Sequence, residues 1–252
     1  MKAMKIKHFI VLFGFLMPAL HTFSQDARTI VQKANDLAMG KTSMGEMTMT
    51  IERPSWTRAV SMKSWSKGTD YYLILITEPA RDKGQVFLKR LTDMWNFMPS
   101  INRMIKIPPS MMSQSWMGSD FTNNDLVKMN SLVEDYTHKI LGEENVGGYD
   151  CFKIELMPKE DAAVVWGKIV MWIAKNEFYE MKAEFYDEDM KLVNTQTAGD
   201  IRQFGDRKLP ARVEMVPADK PGNKTILLME NMLFNIDLPD SFFSQQNMQK
   251  VK

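Results

Sequence analysis

The sequence predicts a mainly β protein, an antiparallel sheet of about a dozen short strands with a helix before it and a short helix in one long loop. Three observations predict this. Apolar and polar residues alternate with a period of two over most of the chain, the alternating runs are short, and tight-turn residues separate them. No run alternates with 10–15-residue helical patterns, which excludes βαβ units.

The chain has 252 residues, and its first 25 read as an export signal rather than as part of the fold. Lys2, Lys5 and Lys7 precede an apolar run over 9–20, and the small residues Thr22 and Ser24 suit cleavage near Ser24 or Gln25. The apolar run is too short to cross a bilayer core of about 30 Å as a helix. The alternative is an uncleaved N-terminal anchor. Residues 26–252 are expected to form a single exported domain. Loss of three lysines and no acid moves the formal charge from +1 to −2. That balance, with both signs interspersed, gives no footprint for nucleic acid.

Residues 26–39 read as an amphipathic helix: Ile30, Val31, Ala34, Leu37 and Ala38 recur at helical spacing, Asp26 can cap it and Gly40 stops it. Met47, Met49 and Ile51 then alternate with Glu46, Thr48, Thr50 and Glu52, a strand with one buried face. Further strands are expected over 58–66, 70–77, 85–91, 94–98 and 101–107, the last two joined through Pro99 and Ser100. Others follow over 132–141, 151–157, 168–174, 178–186, 192–204, 209–216 and 225–232. Gly147-Gly148, Lys175-Asn176, Gly205-Asp206 and Pro221-Gly222-Asn223 mark turns between them.

Residues 108–130 break this rhythm. The segment is too long for a hairpin loop and carries Met111, Met112, Trp116, Met117 and Phe121. Thr122 and Asp125 have capping-box spacing for a short helix through Leu126 and Met129. So apolar a loop is expected to lie against an apolar surface.

The tools of catalysis are sparse. With Cys151 the one cysteine and His138 the one histidine past the signal, a metal site or nucleophilic pair has to run through His138. There is no phosphate loop, dinucleotide fingerprint or nucleophile elbow. Asp120, Asp125, Glu134 and Asp135 are close in sequence, but their spacing fits neither a calcium loop nor a glycosidase pair, and capping or solvated strand faces account for them. The chain is therefore expected to be no enzyme and to need no cofactor or metal. Methionine is abundant, 23 in all. Its unbranched, polarisable side chain repacks around variable apolar partners. A curved sheet with a methionine-rich face under a helix and an apolar loop makes a deep hydrophobic cavity. A hydrocarbon chain entering it gains about 0.8 kcal/mol per buried CH₂.

The run Asp93-Met94-Trp95-Asn96-Phe97-Met98-Pro99-Ser100, continuing to Ser115-Trp116-Met117-Gly118-Ser119-Asp120-Phe121 and Asp125-Leu126, resembles the outer-membrane lipoprotein-sorting family, relatives of the periplasmic carrier LolA. Leu132-Val133-Glu134-Asp135-Tyr136, Ala183-Glu184-Phe185-Tyr186-Asp187 and the stretch 235–243 fit as well. Arg103 and Lys106 remain of a more basic family strand, and Trp116 stands where Phe is commoner. The resemblance implies an unclosed antiparallel β-barrel or strongly curved sheet lidded by helices. It also implies a carrier or chaperone for acyl chains of lipoproteins or lipids, with an inner-membrane transporter or outer-membrane acceptor as partner. The candidate ligand-binding residues are Met47, Met49, Ile51, Trp95, Phe97, Met104, Met111, Met112, Trp116, Met117 and Phe121. Trp116→Ala is expected to weaken lipid binding without unfolding the protein. The alternative is an accessory protein of an envelope lipid or efflux transporter that docks its partner on the same sheet.

Overall fold

The computed structural model describes residues 26–128 and 132–252, so the export signal and Met129 lie outside the described residues. Helix α1 (Ala27–Met39) starts where expected: Asp26 Oδ1 accepts from Thr29 N at 2.8 Å, and its other oxygen accepts from the Thr29 hydroxyl. It stops at Gly40, whose φ of 63° disfavours a side chain and whose N–H donates to Asp36 O.

Thirteen strands follow: β1 (Thr42–Arg53), β2 (Trp56–Lys67), β3 (Tyr71–Glu78), β4 (Val86–Arg90), β5 (Asp93–Met98), β6 (Arg103–Lys106), β7 (Tyr136–Val146), β8 (Tyr149–Pro158), β9 (Lys168–Ala174), β10 (Glu180–Tyr186), β11 (Leu192–Phe204), β12 (Arg207–Pro217) and β13 (Lys224–Phe234). Helix α2 (Asn123–Lys128) lies between β6 and β7, and α3 (Gln245–Met248) near the end. All strands form one antiparallel sheet in the order β6-β5-β4-β3-β2-β1-β13-β12-β11-β10-β9-β8-β7. Two meanders are thus joined at their middle by the β1–β13 pair. β6 and β7 are free edges, so the sheet is not closed into a barrel. Register shifts at Glu46/Met47, Ser61/Met62, Ile140/Gly142 and Glu180/Lys182 are bulges, which bend strands and increase twist.

Directly paired residues of an antiparallel ladder point to the same side, which traces one face across the molecule. Val60, Met49, Leu227, Val213 and Ala198 form one row across β2, β1, β13, β12 and β11. Gln196, Ala183, Met171, Ile154 and Ile140 continue it to β7. This inner face carries both covering elements. Ile30, Val31 and Ala34 of α1 pack on Ile154, Leu156, Ile169, Met171, Ile173 and Ala183. The loop after β6 lays Ile107 and Trp116 on Met47, Met49, Ile51, Val60, Met62, Ile74, Ile76, Phe87 and Met94.

The outer face of β2–β5 is covered as well, by an element that the alternation does not announce. Leu238, Phe243 and Met248 of the C-terminal segment pack on Trp65, Leu73, Leu75, Val86, Leu88 and Phe97. With both faces buried, Leu73–Ile76 of β3 and Val86–Leu88 of β4 read as unbroken apolar runs rather than alternating ones. Among the strand boundaries that differ from expectation are those of β6 and β7. Ile101 belongs to a 3₁₀ turn with Pro99, and Asn102 takes a left-handed φ of 47°, so β6 begins only at Arg103. β7 begins at Tyr136, not at residue 132, and runs on to Val146 because a bulge beside Gly142 lets the strand continue. No helix among the described residues is long and apolar enough to cross a membrane.

A clamped loop on the inner face

The loop between β6 and α2 crosses the inner face of β1–β5. It leaves the edge with the Ile107 N–H donating to Met94 O, then makes a 3₁₀ turn over Pro109–Met111. It doubles back on itself: Trp116 N donates to Phe121 O, Ser115 pairs with Thr122, and the Ser119 hydroxyl donates to Trp116 O at 2.7 Å. Met117 and Gly118 make the reversal with φ of 52° and 80°. Glycine suits the second position because a Cβ there would be strained.

This reversal drives the Trp116 side chain into the sheet. The residue is 3% exposed, and its ring meets Phe87 edge-on, with centroids 5.4 Å apart. Its indole Nε1 is buried without a partner, as is the Asn96 side-chain oxygen. A buried unpaired donor or acceptor costs about 1–3 kcal/mol, so the ring's seat is held by apolar contact alone.

Polar anchors hold the backbone around it. The Arg53 guanidinium grips both oxygens of Asp120 at 3.0 and 3.1 Å and donates to Gly118 O. The Thr225 hydroxyl donates to Asp120 Oδ2 at 2.7 Å, and Asn194 Nδ2 donates to Asp120 O. Arg58 ties Met117 O to its own ion pair with Asp82. Further on, Thr122 and Asp125 form the expected capping box: Thr122 N donates to Asp125 Oδ2 and Asp125 N to Thr122 Oγ1. Asp125 also accepts from Trp166 Nε1 at 2.9 Å, and burial first of all raises its pKa. The acids grouped by sequence are therefore dispersed. Asp120 and Asp125 fasten the loop at two places, while Glu134 pairs with Arg28 at the surface.

The eleven candidate ligand-binding residues divide between the faces. Met47, Met49, Ile51 and Trp116 are buried together on the inner face, with Met112, Met117 and Phe121 packed against them. Trp95, Phe97 and Met104 sit on the outer face under the C-terminal segment. Met111 is 38% exposed on the loop. Because Trp116 is a core residue, Trp116→Ala also opens a cavity, which the expectation of an unaffected fold did not include.

The apolar surface under the loop is occupied by the chain's own side chains. A hollow of about 460 Å³ lies at the rim, lined by Lys33, Asp36, Leu37, Glu177, Phe178 and Arg207 among others, and a more polar one of about 340 Å³ lies beside Met47 and Met62. Neither reaches Trp116. The inner face is less covered over β11–β13. The loop reaches that strip at one end through Asp120, Thr225 and Asn194. α1 reaches it at the other, where Arg207 donates to Leu37 O. Between them Gln196, Ala198, Val213, Leu227 and Met229 are only half-buried. Sequence reasoning missed this floor. Its strands alternate plainly, but nothing local says that β13 lies beside β1.

Groups with reactive potential are quiet. His138 Nε2 lies 2.7 Å from Leu132 O, and burial lowers its pKa. The Cys151 thiol is buried, donates to Tyr149 O, and is pushed up in pKa by that burial. Among the described residues no three His, Cys, Asp or Glu side chains gather as a metal would need.

Comparison with known proteins agrees with this architecture. A family model described as "Uncharacterized protein" matches residues 68–250. The chain is similar to a putative outer membrane lipoprotein-sorting protein domain from Vibrio parahaemolyticus, with 25% identity, a TM-score of 0.79, and 88% of this chain and 98% of that chain covered. It is similar to a LolA superfamily protein from Nitrosomonas europaea at 26% identity and a TM-score of 0.76, with the same coverage. A DUF1329 family protein from Desulfovibrio piger shares the fold at 24% identity and a TM-score of 0.81, again with 88% and 98% covered. No curated protein matches the chain.

Proposed function

The chain belongs to the family whose model spans residues 68–250, with a LolA/DUF1329-like fold, and on that footing we propose that it is a periplasmic carrier of acyl chains. The cargo is the acyl part of a lipoprotein or lipid, the setting a Gram-negative envelope, and the exchange partners an inner-membrane transporter or an outer-membrane acceptor. Binding and release of such a chain is non-covalent and needs no catalytic group.

One observation carries the reading: the loop residue Trp116 is buried in a methionine-lined apolar face and forms no hydrogen bond through its indole nitrogen. A hydrocarbon chain offers the same face equivalent apolar contact, and the displaced indole nitrogen regains water. The structure is then the closed form. Ligand entry lifts the 115–119 reversal off Phe87, while Asp120 and Asp125 act as its hinge points. Methionines 47, 49, 62 and 94 repack around the newcomer more readily than branched residues would.

Titration of the purified protein with a fluorescent fatty-acid analogue tests this. Saturable binding with a change in tryptophan emission is expected, and lipid should appear in native mass spectra of protein isolated from its own envelope. Absence of both defeats the carrier reading. The same filled face favours a second reading, an accessory protein of an envelope lipid or efflux transporter that docks on the sheet. That reading expects a membrane protein in crosslinked pulldowns and no lipid bound.

A further inference from the structure

Resting on the carrier reading, we infer that Glu180 is the polar anchor of the ligand, its protonated carboxyl donating a hydrogen bond to a neutral acyl carbonyl, an ester or amide, on the inner face.

The placement is set by register. Glu180 pairs with Ile173, whose side chain belongs to the α1-covered core, so Glu180 starts β10 pointing to the inner face. Its Oε1 accepts from Gln196 Nε2 at 2.8 Å. Gln196 lies in the half-buried strip of β11–β13, next to Ala198 and Val213. No described residue pairs with Oε2. From Met229 to Glu180 the sheet crosses three strand steps, each of about 4.8 Å, roughly the reach of a twelve-carbon segment. A chain lying along the floor can thus keep its carbonyl end at Glu180 and its tail near the methionines of β1 and β13.

An ionised acid here would lack a counter-ion. β9 offers Ile173 opposite it, and β11 offers Gln196 and Ala198. Lys33 of α1 sits over the Phe178 ring, and Arg207 sits over Phe234 while donating to Leu37 O, beside Asp206. Asp36 of α1 accepts from Gln32. Lys175, just past the end of β9, pairs with Glu143, and Lys182 of β10 pairs with Glu184. Burial alone raises the Glu180 pKa, to about 7, with no charged neighbour contributing. The acid is therefore near half protonation at neutral pH. Its proton-bearing oxygen is a donor that an incoming carbonyl can use without displacing Gln196.

The test uses the purified protein and two probes of equal length, a pyrene-labelled fatty-acid methyl ester and the corresponding pyrene-labelled alkane. Between about pH 5.5 and about pH 8.5 the ester should lose affinity toward that of the alkane, by at most about thirtyfold, the ratio of protonated fractions for a single acid near 7. The alkane should lose much less. Glu180→Gln, whose amide donates at every pH, should hold the ester at its acid-side affinity throughout. Glu180→Leu should bind ester no better than alkane. An ester response that persists in Glu180→Gln overturns the assignment. Uptake of both probes without any pH response in the unaltered protein also overturns it, and leaves the carrier reading standing. No uptake of either probe removes the two together.

Discussion

At the scale of single residues, Trp116 and Glu180 separate what packing needs from what binding needs. Trp116→Ala removes a buried indole and should cost about 3–5 kcal/mol of stability, read as a lowered denaturation midpoint. It also vacates the apolar face. The affinity for a fatty-acid probe should therefore rise, provided the measurement is made below the variant's transition; a fall would assign the ring to the ligand's wall instead of its competitor. Glu180 makes a pH prediction. Its folded pKa, about 7, lies above the usual 4.5. The folded state thus holds its proton more tightly, and that stability is present at acid pH and lost as pH rises through about 7. Glu180→Gln should flatten the fall in melting temperature across this window, and an unchanged fall would place the titration elsewhere. Of these two residues the sequence made only Trp116 visible, because an indole among Ser, Gln and Gly is conspicuous. Glu180 is one acid in a strand with Lys182 and Glu184, and its surroundings are made by β9 and β11, not by its neighbours in the chain.

At the scale of elements, the loop and the C-terminal segment are attached by different means. The loop is held by the Arg53–Asp120 pair, whose side chains are 12% and 6% exposed. Asp120→Asn leaves Arg53 buried without its counter-charge and should cost about 3 kcal/mol or somewhat more. Hydrogen exchange should quicken in the 112–121 stretch before it does in β8–β10, and probe on-rates should rise with it. Uniform exchange in both regions would mean that the clamp holds the fold and not the loop. The C-terminal segment is held by apolar burial, with Phe243 fully buried against Leu73 and Leu88. Its packing was not legible: 236–243 carries Ile236, Leu238, Phe242 and Phe243 without a strand or helix period, and only the outward apolar residues of β3 and β4 hinted that something had to cover them. The thirteen strands were legible nearly one for one, since alternation and turn residues are local signals. The misplaced start at Ile101 falls where a 3₁₀ turn overrides the pattern, and the misplaced end of β7 lies past a bulge at Ile140/Gly142.

At the scale of the molecule, local pattern stops being informative. Alternation says that β1 and β13 each have an inner face but not that they are partners, and that single pairing turns two meanders into one sheet with one continuous inner face. It closes a loop of some 170 residues, a contact formed late in a chain dominated by sequential hairpins. We propose that residues 26–252 nonetheless unfold as one unit, because β1 and β13 pair along ten residue positions and share the Met47–Met229 and Met49–Leu227 contacts in the middle of the core. Tryptophans report on both halves: Trp65 and Trp95 in the first meander, Trp166 and Trp172 in the second. Variants retaining emission from one half or the other should give the same denaturant midpoint. Met49→Glu, at a fully buried position on the seam, should lower both midpoints equally by burying a charge between the halves. Two separated midpoints would make the seam an interface between two folding units, and the strip over β11–β13 a groove between them.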